Sequence, residues 1–281
     1  MWCHTLGMSD STPRIAVIGG SGLYTLLDPA SSESRSIRTP YGLVDVTVGD
    51  LAGRQVVFLP RHGRGHSVAP HAINYRGNVW ALASLGVRAI VSGAAVGGLN
   101  PGMPPGTLVL PDQFIDRTSG RADTFYDRDS VQHLAAADPF CPELRRVAVT
   151  ALGAGFSPRA TVVVIQGPRF STRAESEWFR SAGADLVNMT LYPEVPLAAE
   201  LNIGTVTLAF VTDSDAAVVV DGAEDLSADL VFTRLREAQP RIVAAILSIV
   251  VAIDPEYRAR ELIAAPEVAA VLARDVLAER P

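Results

Sequence analysis

The chain has 281 residues, with Lys+Arg 24 against Asp+Glu 30, a formal net charge of -6 and a pI of about 5.4. That is the wrong sign for a protein that holds nucleic acid by neutralising phosphates, so no nucleic-acid partner is expected. Hydrophobic residues make up 48% and charged residues 19% of the chain, which excludes wholesale disorder and allows a sizeable core. The two cysteines, Cys3 and Cys141, are too few for a disulfide framework and lack the spacing of zinc ligands, so a reducing cytoplasm is the expected setting.

Residues 1–13 mix Trp2, His4 and Asp10 with Ser and Thr, carry no apolar stretch of signal-peptide length, and read as a loose leader before one domain over 14–281. Short β-branched runs then recur at 15–18, 44–48, 56–59, 89–92, 107–110, 162–165, 186–189 and 205–211. Several are apolar on both faces, as in the strands of a covered sheet. Helix-like stretches lie at 75–85, 142–154, 172–182 and 193–201, with glycines at 86, 155 and 183 placed as C-terminal caps. The alternation predicts a mixed α/β sandwich. Residues 227–253 have helical spacing, and Pro240 within them fits either two helices or one bent one. The longest apolar run, 242–253, is shorter than the ~20 residues that span a bilayer, so no membrane segment is expected.

The first strand runs into Gly19-Gly20-Ser21-Gly22, a turn whose backbone N–H groups and Ser21 hydroxyl suit an anion. It fails the dinucleotide fingerprint, because Thr25 stands where the third glycine belongs, and fails the nucleophile elbow at Leu23. Arg61-His62-Gly63-Arg64-Gly65-His66 follows another strand; Arg61 could fork onto two phosphate oxygens and His62 could add a donor. A metal held by His62, His66 and His71 is the rival, but glycines break any helical pair and no carboxylate sits among them, so no metal is expected. In 92–98, Ser-Gly-Ala-Ala-Val-Gly-Gly, small residues end a buried strand; ligand binding by backbone amides and close strand-helix packing both fit.

The strand at 205–211 ends in Thr212-Asp213-Ser214-Asp215. Residues two apart in extended chain share a face, so the two carboxylates point one way and suit a ligand with one nitrogen to be protonated and another carrying N–H. Their mutual repulsion would keep a proton near neutral pH. Calcium is the weaker reading, since further oxygen ligands and the EF-hand glycine are missing.

Together, Ile18-Gly19-Gly20-Ser21-Gly22-Leu23-Tyr24, Arg61-His62-Gly63, Asn74-Tyr75-Arg76, Asp112-Gln113-Phe114-Ile115-Asp116-Arg117-Thr118, Gly167-Pro168-Arg169-Phe170-Ser171-Thr172-Arg173-Ala174-Glu175-Ser176, Asn188-Met189-Thr190 and Thr212-Asp213-Ser214-Asp215 resemble the methylthioadenosine phosphorylases, a branch of the trimeric purine nucleoside phosphorylases. The similarity runs from about Ile15 to Leu235. It implies a single α/β domain, a mixed β-sheet flanked by helices, assembled as a homotrimer, and phosphorolysis of methylthioadenosine with no metal or organic cofactor. By the same resemblance Ser21, Arg61, His62, Thr190 and the Ala94-Ala95 backbone hold phosphate, and Met189 packs on the ribose. Phe170 and Ser171 line the base pocket; Asp213 is the acid at purine N7, and Asp215 reads the 6-amino group. His66, Val231, Phe232 and His133 of a neighbouring subunit border the 5′-substituent. Three features depart from the family pattern: Ala94 where many relatives carry a hydroxyl, Ala216-Ala217-Val218-Val219-Val220 in place of bulkier residues, and Pro240 in the terminal helix. The rival enzyme is a purine nucleoside phosphorylase acting on adenosine or on 6-oxopurine nucleosides (inosine, guanosine); by resemblance the 6-oxopurine relatives carry Asn in place of Asp213. A binding module that has lost catalysis is the remaining alternative, and phosphate-dependent release of free purine discriminates it.

Overall fold

The chain alternates strands and helices in the order β1 (Arg14–Gly19), β2 (Glu33–Thr39), β3 (Gly42–Leu51), β4 (Arg54–Pro60), α1 (Tyr75–Ser84), β5 (Val87–Gly98), β6 (Leu108–Val109), β7 (Gln113–Arg117), α2 (Pro142–Leu152), β8 (Thr161–Ile165), α3 (Arg173–Ser181), β9 (Leu186–Asn188), α4 (Leu191–Glu200), β10 (Gly204–Ser214), α5 (Ala228–Ala252) and α6 (Ala265–Leu272). The structure, a computed structural model, describes residues 14–24, 26–215 and 227–276. The expected leader at 1–13 and the apolar segment 216–220 lie outside the described residues.

Among the described residues all ten strands join one mixed sheet in the order β2-β3-β4-β1-β5-β9-β8-β7, with β10 paired to β5 and β6. β4, β1, β5 and β10 run parallel, β5 meets β9 antiparallel at its far end, and β7, β8 and β9 are parallel to one another. The period-2 alternation sorts each central strand between two helical layers. Ile15 and Val17 of β1, with Val56, Phe58, Val206 and Leu208, pack with Leu144 of α2 and Ile246 and Ile249 of α5. Ala16 and Ile18, with Val57, Leu59 and Ile90, face Val79 and Leu82 of α1, Leu197 of α4 and Val271 of α6. Burial on both faces is why these strands read as continuous apolar runs. The result is a single α/β domain.

The eight predicted strand runs all fall on strands. Two edge strands escape the sequence pattern for a common reason. β2 (ESRSIRT) is mostly exposed and β7 (QFIDR) is only partly buried, so neither needs apolar residues. α6, eight residues long, escapes it as well. α2 stops at Leu152 with Gly153, at φ 68°, as its cap, short of the predicted end at Gly155. Pro240 neither splits nor ends α5, which is a single helix over 25 residues. Arg236, whose carbonyl loses its bond to the missing Pro240 N–H, is exposed, so water can satisfy that oxygen.

Candidate active site

The carboxyl ends of β1, β4, β5, β8, β9 and β10 converge, the usual place for a ligand in an open α/β sheet. They enclose a cavity of about 330 Å³ lined by Ser21, Arg61, His62, His66, Ala95, Phe170, Ser171, Met189, Thr190, Asp213, Asp215, Val231 and Phe232, among others. All of these are residues that the sequence marks as candidates, so nearly the whole candidate set shares one cavity. Ala94 does not line it; it faces a small pocket behind Gly20, Ser21 and Gly22. His133 is exposed and does not line the cavity of its own chain.

On the cationic side, Arg61 is buried directly after β4, and its backbone N–H donates to Gly19 O, tying the two loops together. Gly19 and Gly20 are glycines because the chain is crowded there. A Cβ on Gly19 would lie 2.2 Å from Leu23 O, and one on Gly20 2.5 Å from Gly93 O and 2.9 Å from Arg61 Nη1. The Arg61 fork is not free as the sequence suggests: Nε and Nη2 donate to the two oxygens of Glu194 at 2.6 and 2.7 Å, and Nη1 donates to Gly93 O at 2.8 Å. Burial works against the guanidinium charge, and the Glu194 carboxylate more than restores it.

His62 differs from expectation too. Its Nδ1 lies 2.9 Å from Val68 O, which can only accept, so the Nδ1–H tautomer is fixed and Nε2 carries a lone pair. Burial, with the neighbouring Arg61 charge, pulls its pKa down to about 4. The ring is therefore neutral near pH 7, and the nitrogen left for a ligand accepts instead of donating. Thr190 is presented by Asn188, whose Oδ1 accepts from the Thr190 and Leu191 amides at 2.7 and 2.9 Å while its Nδ2 donates to Ala95 O at 2.9 Å. In sequence Asn188 is only part of a motif; the structure makes it the clamp of this turn.

The carboxylate pair sits where β10 carries a bulge. Val211 pairs with Val96 and Asp213 with Gly97, leaving Thr212 as the extra residue. Despite the bulge, both carboxylates converge on Gly97: a Cβ there would lie 3.1 Å from Asp213 Oδ2 and 3.5 Å from Asp215 Oδ2. Gly97 is thus bare to leave room for the pair, a reason that the run of small residues does not reveal. Burial above all raises the Asp213 pKa to about 6, Asp215 adding a smaller push, while the Thr212 hydroxyl bond works the other way. The expected shift is present, but desolvation and not mutual repulsion dominates it. The Thr212 hydroxyl has Asp213 Oδ1 at 2.5 Å and Val96 O at 3.2 Å, so its single hydrogen has a second acceptor when Asp213 is protonated. Asp215 Oδ1 accepts from the buried Ser176 hydroxyl. Ser176 follows the Thr172–Glu175 capping box that starts α3, so a local helix signal fixes a site residue.

Two buried polar atoms on the cavity wall, Ser171 Oγ and His66 Nδ1, have no hydrogen-bond partner among the described residues. Both atoms are therefore open to a hydrogen bond with water or with a polar group of a ligand. His66, at φ 59°, stacks near His62 (ring centroids 4.3 Å) and meets Phe232 edge-on at 5.2 Å. With Val231 these rings make the apolar end of the cavity. Among the described residues no group of three His, Cys, Asp or Glu side chains is placed to hold a metal, and no helix is long and apolar enough to cross a membrane.

Residues 14–250 match the model of the phosphorylase superfamily. The chain belongs to that superfamily. It is 49% identical to the S-methyl-5'-thioadenosine phosphorylase of Mycobacterium tuberculosis, over 85% of this chain and 90% of that one. It is 43% identical to the 6-oxopurine nucleoside phosphorylase of Pyrococcus furiosus, over 88% and 95%. Among solved structures, methylthioadenosine phosphorylase from Schistosoma mansoni in complex with adenine superposes with TM-score 0.81 at 32% identity, covering 92% of this chain and 97% of that one. Superfamily membership alone therefore leaves two base classes open, and the base edge of the cavity must choose between them.

Gly97→Ala tests that edge. The added methyl would press Val187 Cγ1 at 2.9 Å as well as the Asp213 oxygen. Overpacking of this kind costs about 1–3 kcal/mol. We expect adenine affinity, measured by calorimetry, to fall at least tenfold; affinity equal to wild type would show that the carboxylates do not need this gap.

Proposed function

We propose that the chain catalyses phosphorolysis of 5′-methylthioadenosine to adenine and 5-methylthioribose 1-phosphate. The observation that carries this reading is the buried Asp213–Asp215 pair, with Asp213 raised to about 6, in the same cavity as Ser21, Arg61 and Thr190. Breaking the glycosidic bond builds positive charge at C1′ and negative charge on the purine. Phosphate held by Ser21, Thr190, the Ala95 backbone and the outer edge of Arg61 stabilises and then attacks that cation. Asp213 delivers a proton to N7, a contribution of typically 10²–10⁴ in rate. Asp215, one oxygen held by Ser176, turns the other to the 6-amino group. Phe170, Ser171 and Met189 enclose base and ribose. Val231 and Phe232 give the 5′-methylthio group an apolar seat, and the His66 ring borders it. Neutral His62 accepts a hydrogen bond, which pairs it with a phosphate hydroxyl. Electrophile, nucleophile and acid are all supplied by substrates and side chains, so neither metal nor organic cofactor is required.

The relative named for 6-oxopurines keeps phosphorolysis of inosine or guanosine as the second reading. A substrate panel with and without phosphate, scored by release of free purine, separates the two. Methylthioadenosine should be split only when phosphate is present, at a rate that falls as pH rises through about 6, because the acid form of Asp213 is lost there. Release without phosphate, or none at all, would overturn the reading.

We further propose a cytoplasmic homotrimer in which His133, exposed here, completes the neighbour's 5′ end. Light scattering should give three subunits, and His133→Ala should weaken discrimination at the 5′ position by several-fold while leaving the phosphate KM within twofold. A fully active monomer would sink this assembly.

A further inference from the structure

Glu194 stands outside the cavity, yet it makes the closest contact to the main cation inside it. It is buried in α4, and its carboxylate grips Arg61 side-on through Nε and Nη2, with side-chain exposures of 1% for Arg61 and 4% for Glu194. Gly93 O takes Nη1, and the Gly20 backbone leaves no space for the group to turn, since even a Cβ there would meet Nη1 at 2.9 Å. A guanidinium has five N–H donors. Three are consumed by Glu194 and Gly93, so two Nη hydrogens remain for anything bound in the cavity. The pair is also neutral as a unit, and the adjacent His62 is uncharged near pH 7.

From this geometry we propose that Glu194 is the positioning residue of the phosphate site: it fixes Arg61 side-on so that phosphate meets two directed Nη donors, and it cancels the charge that would otherwise hold any anion. The inference rests on the phosphorolysis reading and deepens it. The site then recognises phosphate by the direction of its hydrogen bonds and not by net charge, which suits an enzyme that must release a phosphorylated sugar after each turnover. A fixed fork matters because hydrogen bonds weaken steeply with misalignment. In a Glu194→Gln protein one arm of the fork would face an amide N–H, and that arm of Arg61 would lose its acceptor and its alignment. Glu194→Asp keeps the charge one methylene short and should fall between the two.

The test is direct titration of the full-length protein with inorganic phosphate by calorimetry, alongside titration with adenine and steady-state kinetics with methylthioadenosine. For Glu194→Gln we expect phosphate affinity to drop at least tenfold and the phosphate KM to rise in step, with adenine affinity within twofold of wild type. Glu194→Asp should lose about threefold. Adenine binding reports that the base site is folded, so a defect confined to phosphate is not a general loss of structure. Phosphate binding by either variant that equals or exceeds wild type would overturn the proposal, the latter by showing that only charge matters there. Parallel loss of phosphate and adenine binding in both variants would also overturn it, in favour of a purely structural ion pair. If wild-type protein binds adenine but no phosphate, the phosphorolysis reading itself fails, and the role given to Glu194 goes with it.

Discussion

Arg61→Ala is expected to destabilise the protein by about 3–5 kcal/mol and to raise the phosphate KM at least tenfold. The first effect follows from Glu194, which would be left buried without its partner; breaking one side of a buried pair typically costs that much. In a chain of this size the loss corresponds to a fall in Tm on the order of 10 °C. The second follows from the lost charge-assisted hydrogen bonds, about 1.5–3 kcal/mol each, or roughly 10- to 150-fold in affinity. The two effects can be separated. Replacing both residues together, Arg61→Met with Glu194→Met, removes both charges and keeps apolar volume, so most of the stability should return while the phosphate defect stays. Calorimetric unfolding and phosphate-dependent kinetics read the two quantities independently. An Arg61→Ala protein as stable as wild type would mean that the pair contributes nothing to the fold.

How much of this site is legible in the sequence depends on the distance over which its parts communicate. Loops that follow an apolar strand announce themselves locally, which is why the sequence places Ser21, Arg61 and the Asp213–Asp215 pair at strand ends, whereas Thr190 enters through the family resemblance. Residues that act on those groups from elsewhere in the chain carry no local signal. Glu194 is 133 positions from Arg61 and in sequence is one polar residue on a helix; Ser176 is 39 positions from Asp215, and the capping box beside it marks a helix start but not the carboxylate it meets. Gly97 resembles ordinary strand packing because nothing local says that two carboxylates from another strand point at it. The polarity of His62 is hidden for the same reason: the Val68 carbonyl that fixes its tautomer comes from how the loop folds back, not from the His62-Gly63 pattern. Strands β2 and β7 show the complementary limit, since edges of a sheet need little apolar content to pair.

Asp213→Asn should give a protein that is more stable and nearly inactive on aminopurine nucleosides. Asp213 is buried, and its pKa of about 6 lies above the ordinary value of 3.8, so in the folded state its charged form is disfavoured. The sign of the linkage follows. Between pH 3.8 and about 6 the folded protein holds a proton that the unfolded chain has lost, so this group's stability contribution declines as pH rises through that window and stays low above it. About two pKa units correspond to roughly 3 kcal/mol. An amide keeps the Thr212 hydroxyl as a donor to its oxygen and carries no charge to desolvate. The Asn variant should therefore gain up to about 3 kcal/mol over wild type at pH 7 to 8, and the gain should vanish near pH 4. Catalysis moves the opposite way, because an amide has no acidic proton for N7, and kcat on methylthioadenosine should fall by about 10²–10⁴. The two carboxylates also set base preference. A 6-oxopurine would place a lone pair against Asp215, a mismatch of about 1–3 kcal/mol, so methylthioadenosine should exceed inosine in kcat/KM at least tenfold in wild type. Asn can donate to a 6-oxopurine, so that lead should shrink in the variant. Equal use of inosine and methylthioadenosine by wild type, or an Asn variant that keeps the wild-type ratio, would remove base reading from these carboxylates and leave the 6-oxopurine reading in force.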